Sequence, residues 1–154
     1  MIDESMMVPR RVRFRRGRRT DFVSTMQILA SSGVPVPPPD RRVLRRFRRL
    51  VADLGADFYV AVLDGALVGF VHVTYARRLA EAPAARLEIL VVAPHVRRRG
   101  IGRSLAALAA DRARRRGCAE LQWVGGGETA QAFLRAVGFE PAGALYSRVL
   151  GDGG

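Results

Sequence analysis

One short segment of the sequence has the composition of an anion-binding turn. It consists of the arginines Arg97–Arg99 followed by Gly100–Gly102, and an amphipathic stretch begins at its end. The first turn of a helix has unpaired backbone N–H groups and the positive end of the helix dipole. Glycine lets a phosphate approach the backbone closely, and guanidinium groups add charge-assisted hydrogen bonds. The segment lacks the Gly-Lys-Ser/Thr of a Walker loop and the third glycine of a dinucleotide fingerprint. It therefore predicts an anion cradle of another kind.

The elements that must hold this turn are clear on both sides of it. Leu87–Val92 is nearly all apolar, which is typical of a central strand. Ile101, Leu105, Leu108 and Ala109 recur at helical spacing and predict a helix over Gly102–Arg116, with Gly117 as its stop. The turn thus connects a buried strand to an amphipathic helix.

The remaining segments predict a mixed α/β domain. Thr20 or Asp21 is expected to cap a first helix, and Asp40 a second. Asp64-Gly65 between two apolar runs predicts a hairpin. In chain order we expect a strand at Val12–Arg15, a helix stopped by Gly33, a helix over residues 41–54, strands at Phe58–Leu63, Leu67–Tyr75 and Leu87–Val92, the helix Gly102–Arg116, a strand at Ala119–Val124, a short helix ended by Gly138, and a strand at Ala144–Leu150.

Length and composition indicate one domain. A chain of 154 residues with 49% hydrophobic residues can bury its own core. We expect a flexible tail at residues 1–9, the domain at 10–150 and a second tail at 151–154. The longest apolar run is too short for a membrane span, and the N-terminus lacks the apolar core of a signal peptide. These features predict a cytoplasmic protein without a membrane partner.

The formal charge of +12 comes entirely from arginine, since the chain contains no lysine. A GC-rich genome would produce this bias, whereas attraction of a polyanion would select it. The six arginines of Arg41–Arg49 fit a solvated helix face. Aromatic residues are only 7% of the chain and do not interleave the arginines, so nucleic acid is not expected as the main ligand.

Taken together, these motifs resemble the GNAT superfamily of N-acetyltransferases. Val92-Ala93-Pro94, followed by Arg97-x-x-Gly100-x-Gly102 and Leu105, is similar to the acyl-CoA-binding motif of that family. Ala130-x-x-Phe133-Leu134-x-x-x-Gly138-Phe139 is similar to its next motif, and the resemblance covers residues 10 to 150.

The resemblance implies a single domain with a mostly antiparallel mixed sheet, splayed central strands and about four helices. It implies acetyl-CoA as co-substrate, transfer to a primary amine of a small molecule, peptide or protein, and a homodimer as an open possibility. The Val92 N–H would stabilise the oxyanion, and Leu90–Val92 would pair with the pantetheine arm. The full set of implied cofactor-binding residues is Leu90, Val91, Val92, Arg97, Arg98, Arg99, Gly100, Ile101, Gly102, Arg103, Ser104 and Phe133.

Glu88 is the candidate general base, because it is the only acid in an otherwise apolar strand. Burial there would raise its pKa toward neutrality. The alternative is that Glu88 faces solvent or pairs with Arg86. His72 is a second candidate base, although a hydrogen-bonded core or groove histidine is the competing interpretation.

Leu134 is a departure from the family pattern, since a tyrosine usually stands there as proton donor, and an asparagine common some residues earlier is replaced within Gly125–Gly127. Three explanations are open: the thiolate leaves without help, another hydroxyl (Tyr146, Tyr75 or Tyr59) replaces the donor, or the protein is an acyl-CoA sensor without efficient catalysis. His95 is expected to be solvated and Cys118 to be a small buried residue. No cluster has metal-ligand spacing, so no metal is predicted.

Overall fold

The computed structural model describes residues 11–125 and 128–151, apart from the side chains of residues 128 and 129. The predicted N-terminal tail, Gly126–Gly127 and residues 152–154 lie outside the described residues. The elements are β1 (Arg13–Arg16), a 3₁₀ turn (Arg19–Asp21), α1 (Phe22–Ser31), α2 (Arg41–Ala52), β2 (Asp57–Leu63), β3 (Ala66–Ala76), β4 (Ala84–Val92), a 3₁₀ turn (Pro94–Val96), α3 (Ile101–Arg115), β5 (Leu121–Trp123) and α4 (Glu128–Ala136).

The five strands form one mixed sheet in the order β1-β2-β3-β4-β5. The first three pairings are antiparallel and β4 pairs with β5 in parallel. Asp64 and Gly65 both have positive φ, which is the geometry that a two-residue hairpin turn requires, so the predicted β2–β3 hairpin is confirmed.

Helices cover both faces of the sheet. A chain of ring contacts joins Phe22 of α1 through Phe47 and Phe58 to Phe70 of β3, which places α1 and α2 on one face. Helix α3 packs on the opposite face, where Leu105 is fully buried. The mixed α/β fold with about four helices is therefore as predicted.

The caps of the first two helices differ. Asp40 Oδ1 accepts a hydrogen bond from the Val43 N–H at 2.9 Å, as expected of the N-cap of α2. Asp21 stands at the N-cap of α1, but its carboxylate does not cap that helix. It accepts hydrogen bonds from the Arg15 guanidinium and the Arg18 N–H instead.

The predicted strand at Ala144–Leu150 is wrong. No described residue after α4 is in a strand, and Leu145, Tyr146, Val149 and Leu150 are exposed. A cavity of about 760 Å³ lies between β5, α4 and the start of this segment. An alternating sequence becomes a strand only where a sheet edge accepts its hydrogen bonds, and here the segment does not pair with β5.

Candidate functional site

The sheet opens at β4. Its pairing with β5 covers only residues Ala85–Leu87, whereas its pairing with β3 continues to Val92. Within the described chain, no strand therefore faces β4 over residues 88–92 on the β5 side. The predicted splaying of the central strands is confirmed at this point.

The backbone groups at this open edge follow from the hydrogen bonds on the other edge. The Ala93 N–H donates to the Val68 carbonyl at 2.7 Å, so Ala93 is directed toward β3. Backbone groups alternate in direction along an antiparallel strand, which directs Val92 and Leu90 toward the open edge and Val91 toward β3. Consistently, the Val92 carbonyl accepts from Arg97 Nε at 3.3 Å rather than from β3. Of the three predicted backbone partners, Leu90 and Val92 are thus available and Val91 is not.

The chain turns sharply between β4 and α3. Residues Pro94–Val96 form a single 3₁₀ turn, and Val96 is buried, which anchors the turn in the core. Arg98 and Gly100 have φ values of 68° and 78°, the left-handed region that favours glycine. The turn therefore approaches α3 in a conformation that most residues avoid.

The N-terminus of α3 lacks a side-chain cap. Its N-cap is Gly100, and the Ser104 N–H makes a hydrogen bond to the Gly100 carbonyl at 3.0 Å. The N–H groups of Ile101, Gly102 and Arg103 have no carbonyl one turn earlier in the helix to which they could donate. Arg97, Arg98, Arg99, Gly100, Arg103 and Ser104 are exposed, while Ile101 is buried and contributes its backbone only. This arrangement fits a doubly charged pyrophosphate.

The cation distribution supports this assignment. Arginines at a helix N-terminus oppose the helix dipole and reduce the stability of the helix. None of the ion pairs among the described residues involves Arg97, Arg98, Arg99 or Arg103. Their charge is therefore compensated by no carboxylate of the described chain.

Aromatic side chains border the gap between β4 and the start of α3. A Cβ added at Gly102 would lie 3.3 Å from the Phe133 ring and 3.6 Å from Val92 Cγ2. The Phe133 ring in turn makes an edge contact with Trp123, at the end of β5, with centroids 6.2 Å apart. Phe133 therefore lies where the open edge of β4 meets the helix start, and its cofactor-binding role stays a prediction.

Glu88 lies at a β-bulge. His72 pairs with Ile89 and Val73 with Leu87, so Glu88 is the extra residue of β4. Its Oε1 accepts a hydrogen bond from the Thr74 hydroxyl at 2.5 Å. The side chain is exposed, so the expectation that the apolar strand buries it is wrong. The residues of β4 alternate between buried and exposed up to this point, and Glu88 falls in the exposed phase together with Arg86.

His72 shares this face with Glu88 and Thr74. It is half-buried, and its ring contacts the edge of Phe58. Burial lowers the pKa of His72, while the carboxylates of Glu88 and Asp53 oppose the shift. Burial thus favours the neutral form of the imidazole, which has a free ring nitrogen.

Two of the tyrosines proposed as substitute donors belong to another site. The Tyr75 hydroxyl donates to Asp57 Oδ2 at 2.5 Å, and burial together with this bond raises the pKa of Tyr75. Two guanidinium groups, of Arg16 and Arg112, lie over the Tyr59 ring. Tyr146 is 91% exposed, and Leu134 lines the cavity beside β5.

The Asp57 cluster was not predicted from the sequence. Asp57 is 1% exposed, and its carboxylate binds the guanidinium groups of Arg16, Arg112 and Arg116. Burial opposes its ionisation, but hydrogen bonds from Arg116, Tyr75, Arg112 and Arg16 outweigh burial and hold the pKa of Asp57 below its ordinary value. A single acid at the start of an apolar strand, with arginines four residues apart on a later helix, is the sequence signal for such a cluster.

The other singled-out residues have structural places. His95 is exposed in the 3₁₀ turn and Cys118 is buried. Trp123 and Phe139 are half-buried, contact each other edge-on and pack against the core. The described residues contain no group of three potential metal-ligating side chains, and no helix among them is long and apolar enough to cross a membrane.

Several solved structures share this fold. A transcriptional regulator from Bacillus halodurans C-125 superposes with a TM-score of 0.80 at 23% identity, covering 91% of this chain and 100% of the other. The glucosamine-6-phosphate N-acetyltransferase of Arabidopsis thaliana gives 0.78 at 14% identity, covering 90% and 98%. An aminoglycoside N-acetyltransferase in complex with CoA gives 0.78 at 21% identity, covering 94% and 99%.

A search of curated proteins finds no match to this chain. The model of the acetyltransferase (GNAT) family, in contrast, matches residues 22–139. This range contains the open edge of β4, the arginine- and glycine-rich turn and α4. The chain therefore belongs to the GNAT acetyltransferase family.

Proposed function

We propose that this protein is an acetyl-CoA-dependent N-acetyltransferase that acts on a primary amine of a small molecule or peptide. The observation that carries the proposal is the alignment of two features: the open edge of β4, with Leu90 and Val92 directed outward, leads to the uncapped N-terminus of α3. The first feature would hold the amide-rich arm of the cofactor, and the second would hold its pyrophosphate.

In this proposal the acceptor amine attacks the thioester carbonyl directly. A C–N bond forms, the C–S bond breaks, and the electron pair of that bond leaves with the thiolate. The Val92 N–H would donate to the oxyanion that forms in between. Two relatives of this fold are named as acetyltransferases of glucosamine-6-phosphate and of aminoglycosides, which are amino sugars or contain them. The positive charge of the chain favours an acceptor that has a phosphate or carboxylate near its amine.

The proton of the ammonium would pass to Glu88, directly or through a water molecule. The Thr74 hydrogen bond fixes the Glu88 carboxylate on the sheet face that contains His72. His72 is the second proton acceptor of this face, and a neutral imidazole there can take over part of the function when Glu88 is changed.

The leaving thiol needs no tyrosine if its own pKa is low enough. A thiol with a pKa of about 8.5 leaves tolerably as thiolate. Because Tyr75 and Tyr59 are engaged in the Asp57 cluster, the remaining hydroxyl candidate is Tyr146. An unassisted departure is the simpler explanation for Leu134.

Leu134 also supports a second candidate function, an acyl-CoA sensor of the same fold without efficient catalysis. One assay separates the two. Acetyl-CoA is incubated with a panel of primary amines, and both free thiol and acetylated amine are measured, with an amine-free reaction as the control for hydrolysis. Acetylated product formed in step with thiol supports the enzyme. CoA binding without product across the panel supports the sensor.

Glu88→Gln tests the assignment of the base. We expect kcat to fall about 100-fold, because the variant loses a general base, with the KM for acetyl-CoA changed less than about twofold. The matched control is Glu140→Gln, an exposed acid outside the sheet. A pH–rate profile with its acidic limb unaltered in Glu88→Gln would show that Glu88 does not accept the proton.

A further inference from the structure

The outer face of α2 is uniformly cationic. Its arginines all lie in an arc of about 160° around the helix axis, since successive residues turn by about 100°. All of them are exposed, while Phe47 of the same helix is buried. These residues are Arg41, Arg42, Arg45, Arg46, Arg48 and Arg49, and we call them the arginine face.

Most of this charge does not stabilise the fold, although Arg49, in the last turn of α2, interacts favourably with the helix dipole. Three pairs of arginines stand four residues apart on the helix, and such like-charge pairs destabilise it. None of the ion pairs among the described residues includes a member of the arginine face. The acids at the helix ends are engaged elsewhere: Asp40 caps the helix, and Asp53 accepts from the Gly55 N–H.

Two further arginines extend the arginine face. The 3₁₀ turn Arg19–Asp21 packs against α2, and both Arg18 and Arg19 are exposed. Their neighbours Arg15 and Arg16 are instead paired with the buried carboxylates Asp21 and Asp57. Arg18 and Arg19 therefore add two exposed arginines next to α2 that form no ion pair among the described residues.

The spacing of these charges matches a duplex nucleic acid. The six arginines of α2 span about 12 Å along its axis, and one strand of a duplex presents a phosphate about every 3.4 Å, or about four over that length. A fully extended acidic peptide turns only about two carboxylates toward the helix over that length, because its side chains alternate between two faces. Guanidinium groups also bind phosphate oxygens in a bidentate manner.

The composition of the face disfavours two other polyanions. Binding of single strands relies on exposed aromatic rings, and Phe22 and Phe47 of this region pack inward against each other. Insertion into a membrane surface needs an apolar helix face, and the apolar face of α2 packs through Phe47 on the sheet. The arginine face therefore acts through charge alone, which is how a phosphate backbone is bound without base contacts.

We propose that the arginine face, together with Arg18 and Arg19, is a docking surface for the phosphate backbone of a duplex nucleic acid. It is an accessory surface, and it is independent of the proposed acetyl transfer. It would hold the protein near nucleic acid or near a complex that contains it.

The test is the salt dependence of binding to a fluorescently labelled 20-base-pair duplex. With about four phosphate contacts we expect affinity to fall about 100-fold between 50 and 200 mM salt. Arg42→Gln/Arg45→Gln/Arg49→Gln removes three of the charges, so we expect its affinity to fall only about fourfold over the same range.

The matched control removes three exposed arginines elsewhere, as Arg114→Gln/Arg135→Gln/Arg148→Gln. It should retain the salt dependence of the unchanged protein. Both variants should keep the thermal stability and the CoA affinity of the parent, which shows that they fold. Three results would each overturn the proposal. They are an equal loss of duplex affinity in the two variants, binding to the duplex that does not depend on salt, and tighter binding to polyglutamate than to the duplex.

Discussion

The two ends of α3 both contain several arginines, and they use them in opposite ways. At the C-terminal end, Arg112 and Arg116 are bound to the buried Asp57 carboxylate, and Arg116 also donates to the Leu54 carbonyl. At the N-terminal end, Arg98, Arg99 and Arg103 are exposed and have no ion-pair partner in the described chain. The two ends lie about 22 Å apart along the helix.

The helix dipole explains the difference. Cations at the C-terminus stabilise a helix, and cations at the N-terminus destabilise it. Arginines at the C-terminal end therefore need no ligand, since the fold itself accounts for them. Those at the N-terminal end are the ones whose charge the proposed anion would compensate. At the two ends of α3, pairing with a carboxylate, rather than arginine content, distinguishes the two sets of arginines.

The largest expected effect is a loss of stability at the C-terminal end of α3, where the arginines bind Asp57. Asp57→Asn leaves three partly buried guanidinium groups without their carboxylate, and we expect a loss of about 3 kcal/mol in the free energy of unfolding. Chemical denaturation measures it. Because the other end of the helix keeps its geometry, the Kd for CoA should stay within about twofold at temperatures where the variant is folded.

Asp111→Asn is the control on the same helix. Asp111 pairs with Arg115 at 2.8 Å, but both side chains are about half exposed or more. An exposed pair of this kind contributes under about 1 kcal/mol. Equal destabilisation by the two variants would contradict the structural role given to Asp57.

The next largest effect is on the affinity for CoA, at the N-terminal end of α3. Arg98→Gln/Arg99→Gln removes two cations from the anion cradle, and we expect the Kd for CoA to rise at least about tenfold, since charge-assisted bonds to phosphate are lost. Isothermal titration calorimetry measures it. Removal of two arginines from the opposite end, as Arg114→Gln/Arg115→Gln, should change the Kd less than about twofold. If both variants weaken CoA binding equally, the arginines act through long-range charge, and the first turn of α3 is not the specific binding site.

The smallest effect is a pH dependence of the stability that Asp57 provides at the C-terminal end of α3. The pKa of Asp57 is lower in the folded than in the unfolded chain, so the unfolded state takes up the proton first as pH falls. The stability that Asp57 provides is thus complete above about pH 5 and is lost below it, by about 1 kcal/mol between pH 4 and pH 3. Comparison of the parent with Asp57→Asn isolates this contribution. A difference between the two that stays constant from pH 6 to pH 3 would contradict it.

Local patterns predicted the fold well wherever one residue determines a turn or a cap. Asp64-Gly65 specified the hairpin and Asp40 the start of α2, because both effects act over two to four residues. The strand predicted at Ala144–Leu150 failed because a strand also needs an edge to pair with, which is a property of the tertiary structure. The segment alternates as a strand does, but it does not pair with the neighbouring β5.

The candidate site was predictable in part for the same reason. The turn at Arg97–Gly102 is contiguous and could be recognised from its residue types. The bulge at Glu88 and the hydrogen bond from Thr74 depend on the register between β3 and β4, which the composition of either strand does not specify. The Asp57 cluster joins residues up to 59 positions apart, and it became visible only in the structure.

The central claim is that the first turn of α3 binds the pyrophosphate of CoA. Nuclear magnetic resonance of ¹⁵N-labelled protein tests it directly, by titration with CoA and separately with pantetheine, which lacks the phosphates. We predict that the amides of residues 99–104 shift with CoA and not with pantetheine, while those of Leu90 and Val92 shift with both. Unchanged amides at residues 99–104 in the presence of saturating CoA would contradict the account.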